Sequence, residues 1–368
     1  VRIALLINGM TGYLEAQYRQ LHARGHELLL VTPTSSEAFA EAMADTAFDV
    51  APDGYARTIG WRTPPDPDEL VATITEFDPA AVVMTEWAFC PAYRAVMKAV
   101  DNSVVRIMIM DNLWRAAPRQ WLGRATHKVY VDPVADCVMV PSDRTEWYAR
   151  RLGFASENII RGSLSADVDL FASDPREATD LLEAAAFLSV GRLVQHKGAD
   201  VLAAAYRRYR SMTPRPWDLH VVGMGPLADL LEGVPGVTMH GFVQPPGVAE
   251  LMRQVSCFVL TSHIEPYGVV VHEAAAAALP MLVSDFTGAV PGYVQDGANG
   301  WQVPAGRIDL WADAMLRMSE LSGERLASMS AVSRALSTRW SPQLWALNLE
   351  EQILRRRAGR VPDPARSD

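Results

Sequence analysis

The chain alternates short apolar, β-competent runs with longer stretches in helical spacing, from Arg2 almost to its end. Arg2–Ile7 reads as a strand, Tyr13–Ala23 as the helix after it, and His26–Val31 as the next strand. Ala81–Thr85, Val104–Met110 and Asp136–Val140 follow, each with a helix-compatible stretch behind it. Around Arg161–Pro175 the periodicity lapses into a polar stretch. A fresh series then runs through Ala185–Val190, Leu219–Val222, Val237–His240, Cys257–Thr261 and Met281–Ser284. Such alternation implies βαβ units and parallel sheets covered on both faces. The expected architecture is α/β, with two doubly wound, Rossmann-like parallel-sheet domains facing a central cleft. The expected bounds are 1–170 and 171–345, with 346–368 a C-terminal helix packing back toward the first domain. Ligands of such sheets sit beyond the carboxyl ends of the strands.

A length of 368 residues suits two cores rather than one. The net charge of -9 argues against nucleic acid and anionic lipid as partners. For a peripheral membrane attachment the sequence offers one basic cluster, Arg355-Arg356-Arg357, which reads more simply as a solvated helix end. No apolar run approaches the roughly 20 residues that span a bilayer. Val1–Ile7 lacks the length and cleavage site of a signal peptide. Cys90, Cys137 and Cys257 are widely spaced and odd in number, which fits a reducing, cytoplasmic compartment.

The fingerprint G-x-G-x-x-G is missing from both halves, although Gly9 and Gly12 follow the first strand and Gly223 and Gly225 a later one. The segment richest in chemistry is Thr261–Pro280. A strand ends near Thr261, Glu265-Pro266-Tyr267-Gly268 forms a loop, and an Ala-rich helix begins about Val269. A helix start leaves N–H groups without intrahelical partners and carries partial positive charge, so Gly268 and Val269 suit a diphosphate or sugar oxygens. Gly268, lacking a Cβ, would let a ligand approach closely.

The E-x7-E spacing of Glu265 and Glu273 resembles the donor motif of retaining GT-B glycosyltransferases, most closely glycosyltransferase family four. Further elements follow in that family's order: Gly191-Arg192-Leu193 with Lys197-Gly198, Val222-Gly223-Met224-Gly225-Pro226-Leu227, Gly241-Phe242-Val243, and Asp296-Gly297 with Gly300. The resemblance implies transfer of a sugar from a nucleotide-diphosphate donor to a hydroxyl acceptor, with the anomeric configuration kept and the nucleotide sugar as co-substrate. It implies no other cofactor and no metal. Arg192 and Lys197 would grip the pyrophosphate, Arg for forked contacts and Lys as a compact point charge. Glu273 would bond the ribose hydroxyls, and Glu265 would lie by the donor sugar. Gly268, Val269 and Tyr267 would line the donor, Val243 would read the base edge, and Gly12 would allow close approach from the first half.

The first half matches more loosely. Where the family commonly has a strand-end His, Asp111 or Asn112 stands, and Glu86 is the other strand-end carboxylate. Asp111 is the acidic candidate for a catalytic role on the acceptor side. Trp87, Trp114, Arg115 and Gln120 are candidates for an acceptor pocket, or ordinary packing. Gly288-Ala289-Val290-Pro291-Gly292 lacks a carboxylate the family usually carries, and Ala274–Pro280 lacks a usual glycine. Asp167-Val168-Asp169 could be taken for a metal-binding D-x-D, but its place in the polar stretch favours a linker. His263 and His272 flank the Glu pair and are expected at the border of the site. A nucleotide-sugar epimerase and an inactive sugar-nucleotide-binding protein are the alternatives.

Overall fold

The computed structural model describes residues 1–34, 48–86 and 90–359. The chain forms two compact units, Val1–Ser165 with the segment from Pro342 onward, and Ala166–Ser341.

Unit 1 is built on a parallel sheet of β1 (Arg2–Leu6), β2 (Glu27–Pro33), β3 (Arg57–Trp61), β4 (Ala81–Thr85), β5 (Val105–Ile109), β6 (Cys137–Val140) and β7 (Ile159–Arg161). Their order is β3-β2-β1-β4-β5-β6-β7. Ile3–Leu6 and Val82–Met84 are buried along their whole length because helices cover both faces of the central strands. The covering helices are α1 (Gly12–Ala23), α2 (Pro67–Phe77), α3 (Pro91–Ala99), α4 (Pro118–Ala125) and α5 (Asp143–Leu152). Proline stands at the first position of α2, α3 and α4, where its missing N–H costs nothing and its fixed φ favours the helix. At α2 the Asp66 carboxylate also accepts from the N–H groups of Asp68 (2.9 Å) and Glu69 (3.1 Å), satisfying two otherwise orphaned donors.

Unit 2 repeats the design with β8 (Ala186–Val190), β9 (Asp218–Val222), β10 (Val237–Gly241), β11 (Cys257–Leu260), β12 (Met281–Ser284) and β13 (Gly300–Val303). These pair in parallel in the order β10-β9-β8-β11-β12-β13. Its helices are α6 (Ala199–Met212), α7 (Pro245–Arg253), α8 (Val269–Ala276), α9 (Ile308–Ser319) and α10 (Gly323–Ser337). In both sheets the chain winds outward one way and then returns to start on the other side. The switch falls between β1 and β4 in unit 1 and between β8 and β11 in unit 2.

The strands absent from the sequence reading are β3, β7 and β13, and each lies at a sheet edge. Half-solvated edge strands lack the continuous apolar run that marks a central one; β3, Arg-Thr-Ile-Gly-Trp, is buried only at Trp61. Within the polar stretch Arg161–Pro175, Ser163, Ser165 and Ala166 are fully buried. Ser163 O accepts from Gln17 Nε2 (3.4 Å) and from Trp345 Nε1 (2.9 Å), so burial of this polar backbone is compensated.

The last helix, α11 (Pro342–Ala358), belongs to unit 1 and packs on α1. Trp345 is fully buried, its ring centroid 5.9 Å from that of Tyr18, and Leu349 and Ile353 continue the buried stripe. Arg24 and Glu350 close the contact with an ion pair. Trp345→Ala removes both the ring and its hydrogen bond, and is expected to destabilise unit 1 by about 3–5 kcal/mol. Urea unfolding of this variant beside Leu347→Ala checks it, since Leu347 is 43% exposed and its loss should stay within about 0.5 kcal/mol.

Candidate functional site

In unit 2 the loops that follow β8, β11 and β12 meet at one carboxylate. After β8 the chain lies flush against the loop after β9: Gly191 N donates to Val222 O (2.9 Å) and Leu193 N to Met224 O (2.8 Å). A Cβ on Gly223 would stand 1.9 Å from Gly191 O, and one on Gly225 2.5 Å from Leu193 O. The glycines of Val222–Leu227 are therefore demanded by backbone packing, with no ligand needed to explain them. The same loop makes a short turn, Gln195–Lys197, and passes through Gly198 at φ +70°. Thr261 Oγ1 donates to Gly198 O (2.9 Å), while His263 N (3.0 Å) and Ile264 N (3.3 Å) donate to His196 O. The loop after β8 is thus stitched to the loop after β11.

That stitching delivers the Lys197 ammonium to Glu265 Oε2, which also accepts from Ser262 Oγ at 3.4 Å. The Glu265 side chain is only 8% exposed, against 23% for Lys197. Glu265 N donates to Phe286 O (3.1 Å) and Gly288 N to Glu265 O (3.0 Å), tying in the loop after β12. Ser262, Thr287 and Phe286 carry no motif of their own, which is why sequence reasoning passed over them. Arg192 sits in the same post-β8 turn, partly buried.

Gly268, at φ +86°, precedes the first residue of α8, Val269. The structure adds a second reason for this glycine: a Cβ there would lie 2.9 Å from Glu265 Cγ and 3.0 Å from Thr287 Cγ2. The position keeps the Glu265 side chain in place, whatever else approaches. The Tyr267 side chain is buried, and its hydroxyl is pushed up to about 12 by that burial, against a hydrogen bond shared with Tyr293 that lowers it. The Tyr267 carbonyl accepts from Ala289 N (2.8 Å), tying this loop to the one after β12. His272 is also corrected. It is fully buried, accepts at Nδ1 from Ala166 N (3.1 Å), donates from Nε2 to Ser337 O (2.9 Å), and stacks on Tyr293 at 4.2 Å. Burial depresses its pKa to about 4, so it is a neutral core tie within unit 2 rather than a border of the site. His263 instead pairs with Asp200 at 3.4 Å.

Glu273, in the second half of α8, has its pKa raised to about 8, by burial first and then by the nearby Asp167 carboxylate. Asp167 itself accepts from Leu170 N (3.3 Å), capping the helical turn Val168–Phe171. Among the described residues no group of three or more His, Cys, Asp or Glu is placed to hold a metal, and Asp167 and Asp169 form none. Val243 follows β10, two strands from the β8 switch point, at the same carboxyl edge of the sheet.

Unit 1 has its own cluster at its β1/β4 switch point. Asn8, just beyond β1, accepts from Thr85 Oγ1 (2.6 Å). Glu86 follows β4 at φ +58° and accepts from Asn112 Nδ2 (2.7 Å). Asn112 rather than Asp111 is the residue bonded to Glu86, and Asp111 sits partly buried beside it at the end of β5. Gly12 opens α1. The pocket reading of Gln120 is corrected: its Oε1 accepts from the N–H groups of Arg115 (2.8 Å) and Ala117 (3.2 Å), and its Nε2 donates to Leu113 O (2.9 Å). Gln120 thereby shapes the turn into α4. Trp114 packs edge-on against Trp121 (5.1 Å) and Tyr148 (5.5 Å). Trp87 lies outside the described residues.

Residues 184–320 match the family model for glycosyl transferases group 1, and residues 7–161 match that for glycosyltransferase family 4. The chain belongs to glycosyltransferase family four. This family-four chain is 31% identical over 197 residues to a D-inositol 3-phosphate glycosyltransferase of Kribbella flavida, a match covering 47% of the chain and 46% of the relative. It is 23% identical over 318 residues to the phosphatidyl-myo-inositol mannosyltransferase of Mycobacterium leprae, covering 81% and 80%. The chain spans about half the length of the first of these curated relatives. Among solved structures, Anabaena HepE in complex with UDP and glucose superimposes with a TM-score of 0.72 at 17% identity, covering 96% of this chain and 99% of that one. A sucrose-phosphate synthase from Thermosynechococcus elongatus gives 0.73 at 18%, covering 97% and 99%. The fold is GT-B.

Two outcomes are expected of the family-four site. Lys197→Met leaves the Glu265 carboxylate buried without its cation and should destabilise unit 2 by about 2–3 kcal/mol, below a fully buried pair because Lys197 keeps some solvent. Adding Glu265→Gln should restore most of that loss, which urea unfolding of the single and double variants measures. The second outcome follows from Glu273. Its folded pKa stands above the unfolded value, so the native state holds the extra proton. Stability from this group is present at low pH and is lost as pH rises from about 4.5 to about 8. Glu273→Gln should flatten that slope, leaving the variant more stable than the parent at pH 8 and nearly equal to it at pH 4.5. Thermal melts across this range would show it.

Proposed function

We propose that the chain is a retaining glycosyltransferase that moves a hexose from a nucleoside-diphosphate donor to a hydroxyl acceptor. The observation that carries this reading is the meeting of Lys197, Glu265 and the start of α8 at the β8/β11 switch point, where open parallel sheets bind their ligands. Arg192 and Lys197 hold the diphosphate, and the Gly268–Val269 helix start adds N–H groups and partial positive charge. Their attraction grows as the bond from the anomeric carbon to the phosphate oxygen breaks, so it favours the transition state over bound donor. The acceptor oxygen bonds to the anomeric carbon on the face the diphosphate leaves, and its proton passes to the departing phosphate oxygen. Glu265 positions Lys197 and borders the sugar; Glu273 meets the ribose hydroxyls. Asp111 is the acidic group assigned to the acceptor side. Because these cations already face the diphosphate, the reaction needs no metal and no further cofactor.

HepE holds UDP and glucose, which makes a UDP-hexose the first donor to try. The relatives named above are transferases, which favours transfer over epimerisation. A Cβ at Gly292 would meet nothing within 4 Å. The carboxylate absent from that position has therefore not been replaced by packing, and this keeps a change of donor sugar in view.

Thermal shift against UDP- and GDP-hexoses should identify the donor, since a ligand of the folded state raises the melting midpoint. With that donor and a hydroxyl acceptor, Arg192→Ala should slow transfer by roughly 10²–10³-fold. Activity should persist in chelator. Near-normal turnover of Arg192→Ala would remove the diphosphate assignment. Loss of transfer in chelator, restored by magnesium, would bring a metal into the mechanism. A new nucleotide sugar formed without acceptor would establish the epimerase instead.

A further inference from the structure

Leu122 and Val129 are the two most exposed large apolar side chains among the described residues, at 65% and 78%. They belong to one surface segment of unit 1 that also exposes Trp121 and Tyr130, with Trp147 of α5 beside it. The backbone bonds Thr126 N to Leu122 O (2.9 Å) and Tyr130 N to Thr126 O (2.8 Å) carry the helical winding of α4 onward. Leu122 and Ala125 share one side of α4, and Val129 follows in the next short turn, past a break in helical geometry at Thr126 (φ -105°, ψ 17°). Trp147 joins this face through Arg151, whose guanidinium lies 4.2 Å from the Trp147 ring and 5.5 Å from Trp114, itself packed on Trp121.

Along the chain, the charge of this segment is of one sign. Arg115, Arg119, Arg124 and Lys128 are all exposed, and no carboxylate occurs between Asp111 and Asp132. Of the neighbouring acids, Glu146 pairs with Arg150 (2.7 Å) and Asp143 with Arg161, while Asp132 lies 2.7 Å from the His127 ring. Aromatic and aliphatic side chains flanked by unpaired-sign cations match the composition of helices that lie in a lipid headgroup layer. The net charge of -9 hides this local excess. By contrast, the cluster Arg355–Arg357 is partly spent inside unit 1, where Arg356 bonds Asn158 Oδ1 (3.0 Å) and Glu157 O (3.1 Å).

We infer that the surface of α4 and the turn after it, centred on Trp121, Leu122 and Val129, docks this chain onto an anionic lipid bilayer. The inference rests on this patch alone and stands apart from the transfer reading. Charge complementarity selects the lipid, since each Lys or Arg near an anionic leaflet strengthens partitioning about fivefold, and the apolar face enters the headgroup boundary.

The test uses the full chain carrying Val129→Cys and a polarity-sensitive thiol dye. Cys90, Cys137 and Cys257 are buried, so the label falls on the new thiol. Phosphatidylglycerol-containing vesicles should shift the dye emission to the blue, and phosphatidylcholine vesicles should not. Raising salt to roughly 0.5 M should reverse most of the shift, as screening of surface charge requires. The same dye on Leu354→Cys, in α11, should not respond. Arg119→Glu with Lys128→Glu should weaken sedimentation with anionic vesicles by roughly 20-fold or more. If the double variant does not fold, the salt titration of the parent decides alone. Absence of a blue shift on anionic vesicles, an equal shift on neutral ones, or indifference to salt would overturn the inference. So would a blue shift that appears without lipid as the chain dimerises in light scattering, which would make the face a contact between copies.

Discussion

A carboxylate as enclosed as that of Glu265 persists only beside a cation, and in unit 2 that requirement organises the surrounding loops. Lys197 can reach it only if the turn after β8 lies against the loop after β11, and the bonds of Thr261, His263 and Ile264 hold that arrangement. The Glu265 side chain, with Thr287, also leaves no room for a Cβ at Gly268, whose φ of +86° stands just before α8. The groups proposed to attract phosphate and the structural ion pair are thus one assembly. The ammonium proposed to meet the diphosphate is held in readiness by a neighbouring oxygen, at the expense of a buried charge.

Glu273 illustrates how the surroundings of a motif residue change its chemistry. Burial and the neighbouring Asp167 carboxylate shift Glu273 toward its protonated form. A carboxyl in either state accepts hydrogen bonds from hydroxyl groups, and such bonds to the charged form would pull its pKa back down. His272, next to it, is neutral for a related reason: burial with both ring nitrogens already bonded leaves no solvation for a charge.

Much of this was legible in the residues. The central strands announced themselves because both faces are covered, and continuous apolar runs such as Ile3–Leu6 or Met281–Val283 have few other uses. The Glu265–Glu273 spacing and the Arg192–Lys197 turn singled out the segment now proposed to hold the donor through their resemblance to the family's motifs, since the spacing alone carries no such meaning. Three of the four edge strands, β3, β7 and β13, escaped because half-solvated strands lack a continuous apolar run, whereas β10 was read. The buried serines near Ser163 escaped too, because their polar backbone is satisfied by Gln17 and by Trp345, nearly two hundred residues distant in the chain.

The amino-acid order alone thus determined the α/β class, the central strands and the family-four signature, all of which depend on local periodicity and short spacing. Partnership required the folded chain. Gly223 and Gly225 turned out to answer to opposing carbonyls, Gln120 to its own turn, and Asn112 rather than Asp111 to Glu86. The apolar and basic face of α4 was equally invisible, because Trp121, Leu122 and Val129 look like core residues until their neighbours are known to leave them uncovered. Burial, ion pairing and exposure are set by residues far apart in the chain, and no local pattern encodes them.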